Sequence, residues 1–176
     1  ETDSTVKMDA NYNNIGLIYQ EMELYEKAIP YHQKALDIRI KRKYVQGEAA
    51  SYNNLGICYT ELKQISRAKE CFKLGIQKAT EANDKTVYYN NVQSLAEVLQ
   101  LEDDRQKALD LFLESYNRPA NMPYTAASKV RTLSGISAIY LDLNVPKKAI
   151  EYGEKCVLEI KNHETNEVYE INVYKT

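Results

Sequence analysis

The sequence predicts an all-α chain built as an array of stacked helix pairs, and three observations carry that prediction. Ala28, Ala68, Ala108 and Ala149 stand 40, 40 and 41 residues apart, and self-similarity at such a period marks stacked units rather than one globular core. A stripe of large, aliphatic, tiny and large residues precedes each alanine. It reads Tyr12, Ile15, Gly16, Tyr19; then Tyr52, Leu55, Gly56, Tyr59; then Val92, Leu95, Ala96, Leu99; then Leu133, Ile136, Ser137, Tyr140. Finally, 4 prolines and 6 glycines in 176 residues leave long helices open.

Each element follows from that pattern. Steps of three, one and three residues place the stripe on one helical face, with the tiny residue expected where a second backbone approaches closely. This predicts first helices near 6–22, 47–63, 85–101 and 124–143. The alanines and their followers His32, Phe72, Phe112 and Gly153 predict second helices near 25–43, 66–83, 105–117 and 146–162. Pro146 suits a first helical turn, Pro119 and Pro123 mark a longer loop, and Pro30 should bend its helix slightly. The repeats fall near 6–45, 46–84, 85–123 and 124–163 within one array over 1–176. Val168, Ile171 and Val173 read as the start of a fifth repeat at 164–176. The chain begins at Glu1 without a methionine and shows no polar capping helix, so it is expected to be part of a longer protein.

The near-duplicate runs Tyr12-Asn13-Asn14-Ile15-Gly16-Leu17-Ile18-Tyr19 and Tyr52-Asn53-Asn54-Leu55-Gly56-Ile57-Cys58-Tyr59, with the alanine and its large follower, resemble the tetratricopeptide repeat (TPR) family. The forty-residue period is similar to the long-helix variety of kinesin light chains and bacterial signalling regulators. The resemblance implies a right-handed α-solenoid of antiparallel helix pairs, a superhelix whose first helices line a concave face that binds protein or peptide. Ala96, Leu99, Ser137 and Gly153 depart from the family pattern.

Composition narrows the function. Hydrophobic residues at 44% and charged residues at 27% describe a folded chain, with net charge −2 and pI near 5.8. No Trp and 15 Tyr suit stripe positions, where the ring packs and the hydroxyl reaches a polar partner. His32 sits where the family packs an aromatic and His163 stands beside Glu164, too few groups for a metal site. No glycine-rich phosphate loop or paired-cysteine metal motif occurs, so no enzyme, cofactor or metal is expected. The run Arg39, Lys41, Arg42, Lys43 ends a helix, where cations oppose the dipole, and no broad basic face supports direct nucleic-acid binding. No segment approaches the apolar length of a membrane span. Cys58, Cys71 and Cys156 read as reduced core thiols and favour the cytoplasm; a periplasmic setting would follow if the parent were a bacterial sensor.

Binding is therefore the expected function, and the first helices its surface. Asn13-Asn14 and Asn53-Asn54 lie one period apart, so they should share a face of neighbouring helices. An asparagine side chain offers a donor and an acceptor, as a bare peptide backbone requires. Asn90, Gln93, Gln20, Glu21, Glu61, Glu97 and Arg131 complete the expected face, with Thr60 and Asp142 nearby. Its mildly acidic cast suits an extended, basic peptide. The lysines with which family members clamp chaperone tails are replaced by neutral residues, so that ligand is not expected. The alternative is a regulatory array of a bacterial histidine kinase or transcriptional regulator, acting through peptide binding or self-association. Uncapped ends also allow a homodimer.

Overall fold

The computed structural model describes residues 2–122 and 124–173, with side chains from Lys7 to Asn162 apart from Pro123. The side chains of Pro123, His163 and the fifth-repeat segment 164–173 lie outside the described residues, as do residues 174–176 altogether. Eight α-helices make up the described chain: α1 (Thr2–Glu21), α2 (Tyr25–Lys41), α3 (Val45–Glu61), α4 (Ile65–Glu81), α5 (Lys85–Leu101), α6 (Arg105–Tyr116), α7 (Ala126–Asp142) and α8 (Pro146–Val173). Predicted and observed bounds agree within a few residues except at two ends. α1 starts earlier, and α8 runs unbroken to Val173 where the sequence predicts an end near 162. α2 passes through Pro30 without interruption.

A single turn design punctuates the chain. Glu23, Lys43, Lys63, Asn83 and Asp103, twenty residues apart, all hold positive φ, as does Asn144. At five of these six turns the two backbone bonds of a Schellman cap are present, for example Leu24 N–H to Tyr19 O at 2.8 Å and Glu23 N–H to Gln20 O at 2.9 Å. These bonds satisfy carbonyls that would otherwise be orphaned at each helix end. Starts are capped more sparingly: Asp84 accepts from Val87 N at 3.0 Å and Thr125 from Ser128 N at 3.1 Å.

Two compact units form, residues 1–102 and 103–176. In the first, α1 packs on α2, α2 on α3, α3 on α4, and α4 on α5. Partners across α1 and α2, such as Asp9 with Arg39 and Gln20 with His32, descend in one helix as they rise in the other, so the pair is antiparallel. The core consists of Ala28, Ala35, Leu36, Ala49, Leu55, Cys58, Ala68, Phe72, Ala79, Val92, Ala96 and Val98. In the second unit α6 packs on α7 and α7 on α8, around Ala108, Phe112, Leu133, Ile136 and Ile139. Ser137 donates to Ala149 O at 2.7 Å across α7 and α8.

The stripe's glycines receive side-chain rings, which corrects the expected backbone approach. A Cβ on Gly16 would stand 2.5 Å from His32 Cε1, and one on Gly56 2.5 Å from Phe72 Cε1. In the second unit Phe112 lies against Gly135 of α7.

Candidate functional site

Asn13 of α1 and Asn54 of α3 meet. Asn54 Nδ2 donates to Asn13 Oδ1 at 3.1 Å, one residue off the strict period, so the stagger of the two helices pairs the second asparagine of one repeat with the first of the other. The bond consumes one donor and one acceptor. The other atom of each amide, Asn13 Nδ2 as a donor and Asn54 Oδ1 as an acceptor, is of the type that a peptide unit complements. Both residues are half-buried, while Asn14 is exposed. Asn53 is half-buried, and its Nδ2 is enclosed without a hydrogen-bond partner, a donor whose desolvation nothing offsets.

Gln20 fixes this corner. Its Nε2 donates to Asn54 O at 3.3 Å, and its Oε1 pairs with His32 Nε2 at 2.9 Å. That pairing needs a proton on Nε2, so the neutral ring donates and Nδ1 is left buried without a partner. Burial, and secondarily the Arg39 charge, pushes the imidazole down to about 4. Gln20 is therefore a brace from the core to the α3 backbone rather than an open ligand contact.

The remaining expected residues divide. Glu21 and Glu61 are exposed at the ends of α1 and α3, and Asn90 is exposed on α5. Gln93 is only 1% exposed and donates to Glu97 Oε1 at 3.3 Å, so its expected place on the open face is corrected: the turn-to-turn bond and the packing of α5 hold it inside. Thr60 turns its hydroxyl onto Gly56 O at 2.9 Å. Asn91 packs against Gly75 and donates to Val87 O at 2.9 Å. Arg131 is exposed on α7 in the second unit, and Asp142 of that unit is engaged by Arg105 at 3.5 Å.

Sequence reasoning misses one polar centre. Arg39, read there as a dipole-matching cation at a helix end, is 8% exposed. It pairs with Asp9 at 3.0 Å and donates to Gly47 O at 3.1 Å and Ser51 Oγ at 2.7 Å. Arg42 reaches the other Asp9 oxygen at 3.3 Å. One guanidinium thus ties α1, α2 and α3 together. Arg39 and Arg42 are spent on structure, which shrinks the basic cluster further. The available signal was that Asp9 and Arg39 fall where the next repeat has Ala49 and Ala79.

The thiols are inert. Burial pushes Cys58 up to about 12 and Cys71 up to about 11, so neither is a thiolate at neutral pH. Among the described residues no group of three or more His, Cys, Asp or Glu is placed to hold a metal ion. No described helix is long and apolar enough to cross a membrane.

Geometry and comparison agree on the class: the described residues form an all-α fold of consecutively packed helices. Residues 8–81 match the tetratricopeptide repeat family model, and this segment is made of tetratricopeptide repeats. Solved structures extend the fold likeness over the chain. Aspartyl phosphate phosphatase F from Bacillus subtilis is similar at a TM-score of 0.82 and 16% identity, over 93% of this chain and 43% of that one. The Rap conjugation gene regulator of plasmid pLS20, solved in complex with the Phr* peptide, gives 0.76 and 17% over 90% and 43%. BtubC (BKLC) from P. vanneervenii gives 0.76 and 15% over 89% and 64%. The chain thus spans less than two thirds of the length of each of these proteins. No curated protein matches the sequence.

Proposed function

We propose that the first helices of residues 1–102 bind an extended peptide or partner segment by its main chain. The observation that carries this reading is the Asn13–Asn54 bridge between α1 and α3, braced by Gln20, in which each amide has a second polar atom outside the bridge. A clamp of that kind holds a peptide unit whatever its side chain, and mid-helix asparagine costs helix stability that a purely structural role would not require. Asn14 and Asn90 extend the polar track, and Glu21, Glu61 and Glu97 favour basic ligand side chains. Arg131, in the other unit, is a separate candidate contact. The fold is a binding scaffold in this reading, and no catalytic role is assigned to it.

Capture of an extended-peptide library tests the proposal. Wild type should retain peptides that the Asn14→Asp/Asn54→Asp double variant loses, because a carboxylate cannot donate to Asn13 Oδ1 or to a peptide carbonyl. Equal capture by both proteins would sink the main-chain clamp.

A regulatory array is the second reading. It is favoured by the fold likeness to the peptide-bound Rap regulator, and in it the same polar face would receive the signal. Adding a captured peptide should then change the amide exchange protection of α1 and α3.

A further inference from the structure

Among the described helices α3 is touched by α1, α2, α4 and α5, so what stays open on α3 is left open by its own neighbours. Leu55 and Cys58 are 2% and 0% exposed. Gln46, Ala50, Asn53, Asn54, Ile57 and Glu61 are half-buried or exposed, and their spacing puts them along one side of the helix. The Asn13–Asn54 bridge lies on this stripe. One turn beyond it stands Ile57, an aliphatic side chain kept half-open although Leu55 is hidden, and one turn further stands Glu61.

α1 repeats that order in the same register. Leu17 is 38% exposed and follows Asn13 by four residues, which sets it on the side of α1 that carries the bridge, away from the side of Ile15 and Ile18. Glu21 follows by another turn and is exposed. On α5 the order reverses. Glu97 holds the aliphatic register and accepts from Gln93 at 3.3 Å, while Leu101, 61% exposed, holds the acidic one. An aliphatic seat is thus confined to α1 and α3, beside the amide bridge, and carboxylates bound it.

We propose that this face selects its ligand by side chain as well as holding it by main chain: an aliphatic side chain rests on Leu17 and Ile57, and a basic one beyond it meets Glu21 and Glu61. Three to four helix residues rise about 5–6 Å, close to two residues of extended peptide. The seat therefore receives a residue about two positions from the clamped peptide unit, and the clamped unit itself stays indifferent to its own side chains. The ligand class is an extended peptide in which leucine, isoleucine or valine stands near lysine or arginine. Removing the aliphatic group from water adds the apolar contribution that amide hydrogen bonds lack, and the carboxylates reject acidic neighbours. The inference rests on the main-chain clamp for where the ligand lies, and on Leu17, Ile57 and the two glutamates for what it selects.

The test sequences the extended-peptide library position by position after capture by the full wild-type chain. The captured pool should be enriched several-fold in branched aliphatic residues with lysine or arginine close by. Leu17→Ser and Ile57→Ser should each weaken binding of a selected peptide about tenfold, and Glu21→Lys/Glu61→Lys should exchange the basic preference for an acidic one. Leu17, Glu21 and Glu61 are exposed, and circular dichroism checks that every variant stays helical. A captured pool that the Asn14→Asp/Asn54→Asp variant loses, but that shows no aliphatic or basic enrichment, would overturn this inference and leave the clamp standing. Enrichment abolished by Leu17→Ser yet untouched by Asn14→Asp/Asn54→Asp would overturn the clamp and leave the seat. A wild-type chain that retains no peptide would overturn both.

Discussion

The first and second helix pairs are near duplicates in sequence, yet their interiors are built from different chemistry. In α1 and α2 the positions that touch are Asp9 with Arg39 and Gln20 with His32; in α3 and α4 the same positions are Ala49, Ala79, Thr60 and Phe72. Both pairs lay a ring over a glycine. Phe72 asks for no partner, whereas His32 needs Gln20, and Gln20 in turn anchors the backbone beside Asn54. The backbone geometry of a repeat is thus tolerant of its core chemistry, and the polar version couples the core to the proposed binding face. The apolar version cannot.

Four perturbations should separate the two chemistries. The largest effect is expected from Arg39→Met, which leaves Asp9 buried with only Arg42 beside it. Urea denaturation should show a loss of about 3–5 kcal/mol, and the Asp9→Ala/Arg39→Ala double variant, which copies the second pair, should recover much of it. Next, Gly56→Ala forces the Phe72 ring to move, at a cost of about 1–3 kcal/mol, with a similar cost for Gly16→Ala against His32.

The third concerns pH. His32 is held near 4 in the fold against an ordinary 6.5, so below pH 6.5 the unfolded chain takes up a proton that the folded chain does not. Stability should be complete above pH 6.5, fall as pH drops toward 4, and flatten below it as far as this group is concerned. The loss amounts to roughly 3 kcal/mol, measured by denaturant titration at each pH. His32→Phe should remove that slope, since the second pair already carries Phe72 without one. The smallest effect is at the turns. Lys43→Gly and Lys63→Gly should each stabilise by several tenths to about 1 kcal/mol, because both residues hold positive φ, and the two gains should be alike in thermal melts.

The repeats were legible because period and stripe are local: four alanines and four stripes were enough to place all eight helices. The turns were less visible. The αL positions carry Glu, Lys, Asn and Asp rather than glycine, so their twenty-residue spacing shows only in φ. The Asp9–Arg39 centre escaped because three helices must come together before a charge is seen to be buried. The sequence placed Asn13 and Asn54 on facing helices, where they meet, but it read Gln20 and Gln93 as groove residues although both are engaged within the fold. Helical register says which side a residue is on, not whether a neighbour one turn or one helix away already holds it.

The central claim is that the Asn13–Asn54 corner reads peptide main chain, and the most direct measurement is a calorimetric titration with a captured peptide and its singly N-methylated forms. N-methylation at one or two central positions should weaken binding about tenfold or more, as expected for a lost main-chain hydrogen bond left unsatisfied, while alanine at the same positions changes it little. Binding that follows the side chains and ignores N-methylation would contradict the account.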